Sequence, residues 1–224
     1  MTLITRLART FLSGSYKGHF GQWAEDVLVR KLFPRKKTSG IYLDIGAHHP
    51  FRGSNTAYLW LKGWRGFNID ANPQTIKLFN QVRPSDKNIW TAVISQMEYF
   101  NGVREVDLML PNCDGDVSAI GTCSTAVGLE RGFNKRLKVP AKSISQVMID
   151  YNIHEFDYLN IDVEGYDEEI IRDFDFSIIR PKVITIEDYS ENIKKVLLSN
   201  ISTVLFSKGY DLVGRAGPTS IFHL

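Results

Sequence analysis

Four short runs rich in apolar and β-branched residues each carry an acid at or beside their end, and a helical pattern follows each one. The runs are Ile41–Ile45, Gly66–Asp70, Tyr158–Asp162 and Val183–Glu187. This alternation is the sequence form of repeated βαβ units, and it demands a mostly parallel sheet with helices on both faces. In open sheets of that kind, ligands bind outside the carboxyl ends of the strands. The acids of this chain are therefore expected along one edge of one sheet, facing one crevice.

The intervening pattern supports a single domain over residues 20–224 of the 224-residue chain. The spacing predicts a helix over Gln22–Leu32, and Pro34–Gly40 reads as a basic turn. Ser54 or Asn55 is placed to cap a helix carrying Ala57, Leu59 and Leu61. Asn72-Pro73 is an N-cap followed by proline at the first helical position, ahead of the stripe Ile76, Phe79 and Val82. Ile89–Ile94 is read as a third strand, and Met97–Leu110 as a hairpin turning at Asn101-Gly102. Pro111–Asn134 holds four glycines and no regular period, which is the pattern of a mobile lid. Helices are expected over Ser143–Tyr151, from near Tyr166, and over Glu191–Lys208. Tyr210–Gly214 and Ser220–Leu224 pair across Gly217-Pro218 as a closing antiparallel hairpin.

Residues 1–19 form a separate arm. Leu3, Ile4, Leu7, Ala8, Phe11 and Leu12 recur at helical spacing, with Arg6 and Arg9 between them. This segment is read as an amphipathic helix that docks on its own domain or on a partner chain, including a second copy; weak contact with a membrane surface is the alternative. Arg9 interrupts any signal-peptide core, and no apolar run approaches the roughly 20 residues that span a bilayer. A formal net charge of +2 is too mild to point to nucleic acid. Cys113 and Cys123 are too few to close a zinc site and read as reduced thiols in a cytoplasmic protein, one that is peripheral at the membrane only if the arm touches it.

Three motifs carry chemistry. Asp44-Ile45-Gly46-Ala47-His48-His49-Pro50 sits where the first strand becomes a turn, and Gly46 lets backbone approach a ligand. The next strand ends on Asp70, followed by Ala71, and a carboxylate there accepts hydrogen bonds from both hydroxyls of a ribose. Together they point to a nucleoside. A dinucleotide fingerprint needs three closely spaced glycines, whereas only Gly46 and Gly53 are present and His48-His49-Pro50 fill the turn. S-adenosylmethionine has no diphosphate and needs no third glycine. The third motif, Asn160-Ile161-Asp162-Val163-Glu164-Gly165, puts two carboxylates after the fourth strand. Glu187-Asp188 end the fifth. Asp162, Glu187 and Asp188 can then converge as a base or as ligands for Mg²⁺ or Mn²⁺. Asp167, Glu168 and Glu169 fall in a first helical turn and read as surface residues.

These motifs, with the upstream Phe20-Gly21-Gln22-Trp23-Ala24-Glu25-Asp26, resemble the FkbM family of methyltransferases from about residue 20 onward. The resemblance implies a class I methyltransferase fold of seven strands, Rossmann-like, the last strand antiparallel. It implies O-methylation, commonly of a sugar hydroxyl in a glycan or secondary metabolite. Asp44, Gly46, Ala47, His48, Asn55, Asp70 and Ala71 are then the candidate cofactor contacts. Asp162, Glu187, Asp188 and His49 are the candidate catalytic groups. Many relatives carry Asn-x-Gly where this chain has His48-His49-Pro50. The alternatives to this reading are a nicotinamide-dependent oxidoreductase with a degenerate fingerprint and a non-catalytic nucleoside- or glycan-binding module.

Overall fold

A computed structural model describes residues 18–34, 36–111 and 121–224. Residues 1–17 of the arm expected over 1–19, Cys113 and the middle of the expected lid lie outside the described residues. The main sheet has seven strands in the order β3-β2-β1-β7-β8-β10-β9. They are β1 (Ile41–Ile45), β2 (Arg65–Asp70), β3 (Lys87–Trp90), β7 (Tyr158–Ile161), β8 (Val183–Glu187), β9 (Asp211–Ala216) and β10 (Thr219–His223). All pairs are parallel except those of β10, which runs antiparallel between β8 and β9. The expected sheet and closing hairpin are both present.

Side chains alternate across the sheet with the period of a strand. Leu43, Ile45, Leu159, Ile161, Ile184 and Ile186 bury one face against Ile144 and Val147 of α6 (Ile144–Asp150), Ile170 and Ile171 of α7 (Asp167–Asp173), and Ile201 and Leu205 of α9 (Asn200–Ser207). Tyr42, Tyr158 and Val183 bury the other against Val29 of α1 (Glu25–Leu32), Leu59 of α2 (Ala57–Leu61) and Trp64. α3 (Pro73–Val82), capped by Asn72 as expected, packs on β2 and β3.

On the tyrosine face, one polar residue from each of five parallel strands falls in register: Asn88, Asn68, Asp44, Asn160 and Thr185. Asn160 donates to Asp44 (2.8 Å), Thr185 to Asn160 (2.6 Å) and Asn68 to Asn88 (2.8 Å). Buried polar groups need partners, and Asp44, Asn160 and Thr185 find theirs in each other, while the Asn68 side-chain carbonyl oxygen is left without one.

A second sheet, β4-β6-β5, is made by β4 (Ala92–Ile94), β5 (Glu105–Leu110) and β6 (Lys135–Ser143). It corrects several expectations. The run Ile89–Ile94 is split, because the chain leaves the main sheet at Thr91 and continues in the small one. Met97–Leu110 is no hairpin. Ser95 and Glu98 form a reciprocal capping box that starts the helix α4 (Gln96–Phe100), and Asn101-Gly102 end it, Gly102 at φ 92°. β5 pairs instead with β6, which the sequence concealed behind four exposed residues and Pro140. The segment 111–134 contains a helix, α5 (Thr125–Glu130), and a bridge from Thr122 to Met109.

Other boundaries shift for local reasons. The first helix starts at Glu25 because Ala24 is left-handed, at φ 64°. The helix expected over Glu191–Lys208 is two, α8 (Ile193–Leu197) and α9, since Ser199 caps the second. Neither Ser54 nor Asn55 caps α2; its N-cap is Thr56, whose side chain makes no capping bond to the helix. Asp167 is buried, not on the surface, accepting the N–H groups of Val163 and Gly165 at 3.2 Å. No helix among the described residues is long and apolar enough to cross a membrane.

Candidate active site

The carboxyl ends of β1, β2 and β7 open into one cavity of about 690 Å³, within the ~300–1,000 Å³ usual for small-molecule sites. Gly46 forms its floor, at φ 82°; a Cβ there would lie 1.7 Å from the Asp162 carbonyl oxygen. Only glycine permits the β1 and β7 loops to meet this closely. Asp70 lines the wall, its two oxygens accepting the N–H groups of His48 (2.8 Å) and Asn72 (2.7 Å). Burial pushes the Asp70 carboxyl up to about 6. A carboxylate has about four acceptor positions, so capacity for two hydroxyl donors remains. Ile69, Ala71, Val93 and Leu108 supply apolar surface beside it.

Asp162 and Glu164 line the same cavity. Oxygens of Asp162, Glu164 and Glu187 all lie within 4.8 Å of one another. Burial, then the negative charges of Glu187, Asp167 and Glu164, hold the Asp162 carboxyl well above the usual carboxylate range. Burial and the charge of Glu164 raise Glu187 to about 7. Two acids in contact, each resisting ionisation, favour sharing a proton over ionising together. Glu164 is left-handed at φ 56° and tied from three sides. Arg131 pairs with its carboxylate at 2.6 Å, the Tyr189 hydroxyl lies 3.0 Å from it and 2.8 Å from Glu187, and Thr122 donates to its carbonyl at 2.6 Å. Arg131 and Thr122 belong to the 121–134 segment, which thus docks beside the acids.

Of the sequence candidates, Gly46, His48, Asp70, Ala71 and Asp162 line the cavity; Asp44, Ala47, Asn55, His49, Glu187 and Asp188 do not. Asp44 is buried beneath it, accepting Thr56 (2.7 Å) and Asn160 (2.8 Å), and Asn55 donates to Asn160 (3.1 Å). Nδ1 of His49 accepts the N–H groups of Phe51 (3.0 Å) and Arg52 (2.9 Å), so its ring closes its own turn. Asp188 is buried and accepts the N–H of Ser190 at 2.9 Å; Glu164 takes its expected place beside Asp162 and Glu187. The helix after β1 starts only at Ala57, so no helix N-terminus cradles a diphosphate at the turn.

Sequence reasoning assigned no role to His19, Phe20, Gly21 and Gln22, which close one end of the cavity. Asp26 holds that turn through the N–H groups of Phe20 (3.3 Å) and Gly21 (3.4 Å), and Phe20 packs on Phe51 at 5.9 Å. The visible signal was Gly21, where a Cβ would meet Asn55 Oδ1 at 2.8 Å.

A seven-stranded sheet with its last strand antiparallel and inserted, and an acid at the end of the second strand facing a cavity, define a class I methyltransferase fold of the S-adenosylmethionine-dependent type. The chain belongs to the family of the methyltransferase FkbM domain, whose model matches residues 44–212. Among solved structures it is similar to a TehB-like SAM-dependent methyltransferase from Corynebacterium glutamicum, with 13% identity over 98% of this chain and 95% of that one and a TM-score of 0.43. It is also similar to precorrin-6y C5,15-methyltransferase from Geobacter metallireducens, with 13% identity over 92% and 91% and a TM-score of 0.41. No curated protein matches the sequence.

Proposed function

We propose that the protein methylates a hydroxyl group, in a sugar of a glycan or secondary metabolite, using S-adenosylmethionine. The observation that carries this reading is that the Asp162–Glu187 pair and the Asp70 carboxylate serve one cavity: Asp162 and Asp70 line it, and Glu187 stands against Asp162. When bound, S-adenosylmethionine supplies an electrophilic methyl on a sulfonium that leaves as a neutral thioether. Asp70 holds the ribose hydroxyls, and the apolar surface of Ile69, Ala71, Val93 and Leu108 accommodates the base. Asp162 accepts the acceptor's proton as the new C–O bond forms, and Glu187 takes up the proton the pair already shares. General-base help of this kind is worth about 10²–10⁴-fold.

Asp162, Glu164 and Glu187 are also a donor set for Mg²⁺ or Mn²⁺, which would lower the pKa of a bound hydroxyl. Arg131 already brings positive charge to Glu164, which favours the proton-sharing account. The sugar acceptor rests on the family resemblance.

Thermal shift with S-adenosylhomocysteine, NAD and NADP separates this reading from an oxidoreductase or a binding module. Stabilisation by S-adenosylhomocysteine alone is expected; stabilisation by NAD or NADP alone, or by none, overturns it. Methyl transfer to a glycan panel, before and after EDTA, then tests acceptor and ion. Activity is expected to survive EDTA, and a loss that Mg²⁺ restores assigns the ion to the three acids.

A further inference from the structure

Arg83 stands at the end of α3 and is fully buried, yet it lines no part of the cavity. We propose that it is a positioning residue, a clamp behind the cavity that holds the β1–α2 loop in its cofactor-binding shape through the Pro50 carbonyl. The inference rests on the reading of that cavity as a S-adenosylmethionine site.

The loop needs such a clamp. It supplies Gly46, His48, Phe51, Arg52 and Gly53 to the cavity wall. Gly46, His48 and Gly53 all sit at positive φ, which for His48 is a conformation L-residues resist. Pro50, at its centre, has no N–H to contribute and offers only its carbonyl. That carbonyl accepts from Nη2 of Arg83, which also donates to Ser54 Oγ at 3.2 Å. Nη1 donates to Thr56 Oγ1 at 2.9 Å and to the Tyr42 hydroxyl at 3.3 Å. One planar group thus grips the tip of the loop, its descending limb and the strand beneath. Rings fix the guanidinium itself, which lies 5.5 Å from the Trp60 centroid and 5.1 Å from that of Phe79.

The charge arrangement points the same way. Among the described residues no carboxylate lies in ion-pair contact with Arg83; its counter-charges stand one hydroxyl away. Asp44 is reached through Thr56, and Asp86 through Tyr42. A buried cation held by neutral oxygens is a poor source of stability, and an apolar residue of similar volume often serves a core as well. What the guanidinium provides is direction: a rigid fork of donors that a lysine ammonium lacks.

The experiment compares wild type with Arg83→Met, Arg83→Lys and Ser54→Ala. S-adenosylhomocysteine affinity is read by calorimetry, methyl transfer by steady-state kinetics, and backbone amides over 47–54 by hydrogen exchange. Arg83→Met is expected to weaken S-adenosylhomocysteine binding on the order of tenfold while kcat at saturation stays within about threefold. Arg83→Lys should fall between, and exchange over 47–54 should accelerate in the same order. A folded Arg83→Met with wild-type affinity and wild-type exchange overturns the clamp. If Arg83→Met does not fold, Arg83→Lys and Ser54→Ala decide. Weaker binding and faster loop exchange in either support the proposal, and wild-type values in both overturn it. Failure of the wild type to bind S-adenosylhomocysteine defeats the functional reading instead, and the exchange measurement still reads the clamp.

Discussion

Replacing Asp70 by asparagine tests the cofactor assignment at its most constrained point. The carboxylate already holds two backbone N–H groups, at 2.8 and 2.7 Å, and faces the cavity with its remaining lone pairs. Asparagine keeps the shape, loses the charge and turns one of the two acceptors into a donor. A hydrogen bond to a charged group is worth about 1.5–3 kcal/mol, and each ~1.4 kcal/mol is tenfold in affinity. Binding of S-adenosylhomocysteine should therefore weaken by roughly 10–150-fold. The titration of Asp70 gives a second reading. Burial lifts its pKa from 3.8 to about 6, so the folded chain holds this proton more tightly than the unfolded one. The group's contribution to stability therefore falls as pH rises between those two values, since there the native state binds more protons. Ribose hydroxyls favour the ionised form, so cofactor binding pulls the pKa back down. Binding at pH 6 should then expel about half a proton, and binding at pH 8 close to none. Calorimetry at pH 6 in two buffers of different ionisation enthalpy measures this directly. Unchanged affinity in a folded Asp70→Asn, or a binding heat independent of buffer, would refute the assignment.

Three further outcomes follow from the site. Gly46→Ala places a methyl 1.7 Å from the Asp162 carbonyl oxygen at a positive φ; a loss of more than about 4 kcal/mol, or no soluble fold, is expected in a denaturation curve, and a near-native midpoint would contradict the close approach. Asp162→Asn should lower kcat about 10²–10⁴-fold with S-adenosylhomocysteine affinity retained; wild-type rates should rise with pH through about 7, where the Asp162–Glu187 pair gives up its first proton and can accept one from the substrate. Arg131→Ala removes the 2.6 Å pair with Glu164, which is partly exposed, so stability should change by less than about 1 kcal/mol; exchange over 121–134 should nevertheless accelerate, and unchanged exchange would show that the pair does not hold the segment.

The parallel sheet was legible because its signal is local: buried runs of four to six residues, each ending in a turn. The second sheet was not. β4 is three residues long, and its partner β6 lies some forty residues later with an exposed first half, so neither shows a strand period. The capping box Ser95-x-x-Glu98 was present in the letters, and Asn101-Gly102 outweighed it, since the same pair ends a helix as readily as it turns a hairpin. In the site, the acid at the end of β2 and the acids after β7 and β8 were readable by position. Which of them face the cavity was not, because Asp44 and Asn55 look into the protein through contacts that span more than a hundred residues. Arg83 offered no signal at all: an arginine after a helix reads as a surface cation.

The polar row across five strands acts as an assembly check on the sheet. If β7 slid by one residue against β1, Leu159 or Ile161 would stand beside Asp44, and every side chain of β7 would change face. A slide by two would keep the faces but set Tyr158 or the Asp162 carboxylate against Asp44. Each misregistered sheet therefore strands a buried carboxylate without its amide, a penalty of several kcal/mol. Only the native register gives the Asp44 carboxylate its Asn160 amide, and only that register sets Gly46 against Asp162. The pairing that completes the polar row is thus the one that builds the cavity, so a chain that has closed its sheet correctly has already placed its chemistry. Asp44→Leu with Asn160→Leu should accordingly lose this check: refolding should turn heterogeneous, with additional kinetic phases, even where thermal stability is kept. A single refolding phase with full recovery of cofactor binding would show that the register is enforced elsewhere.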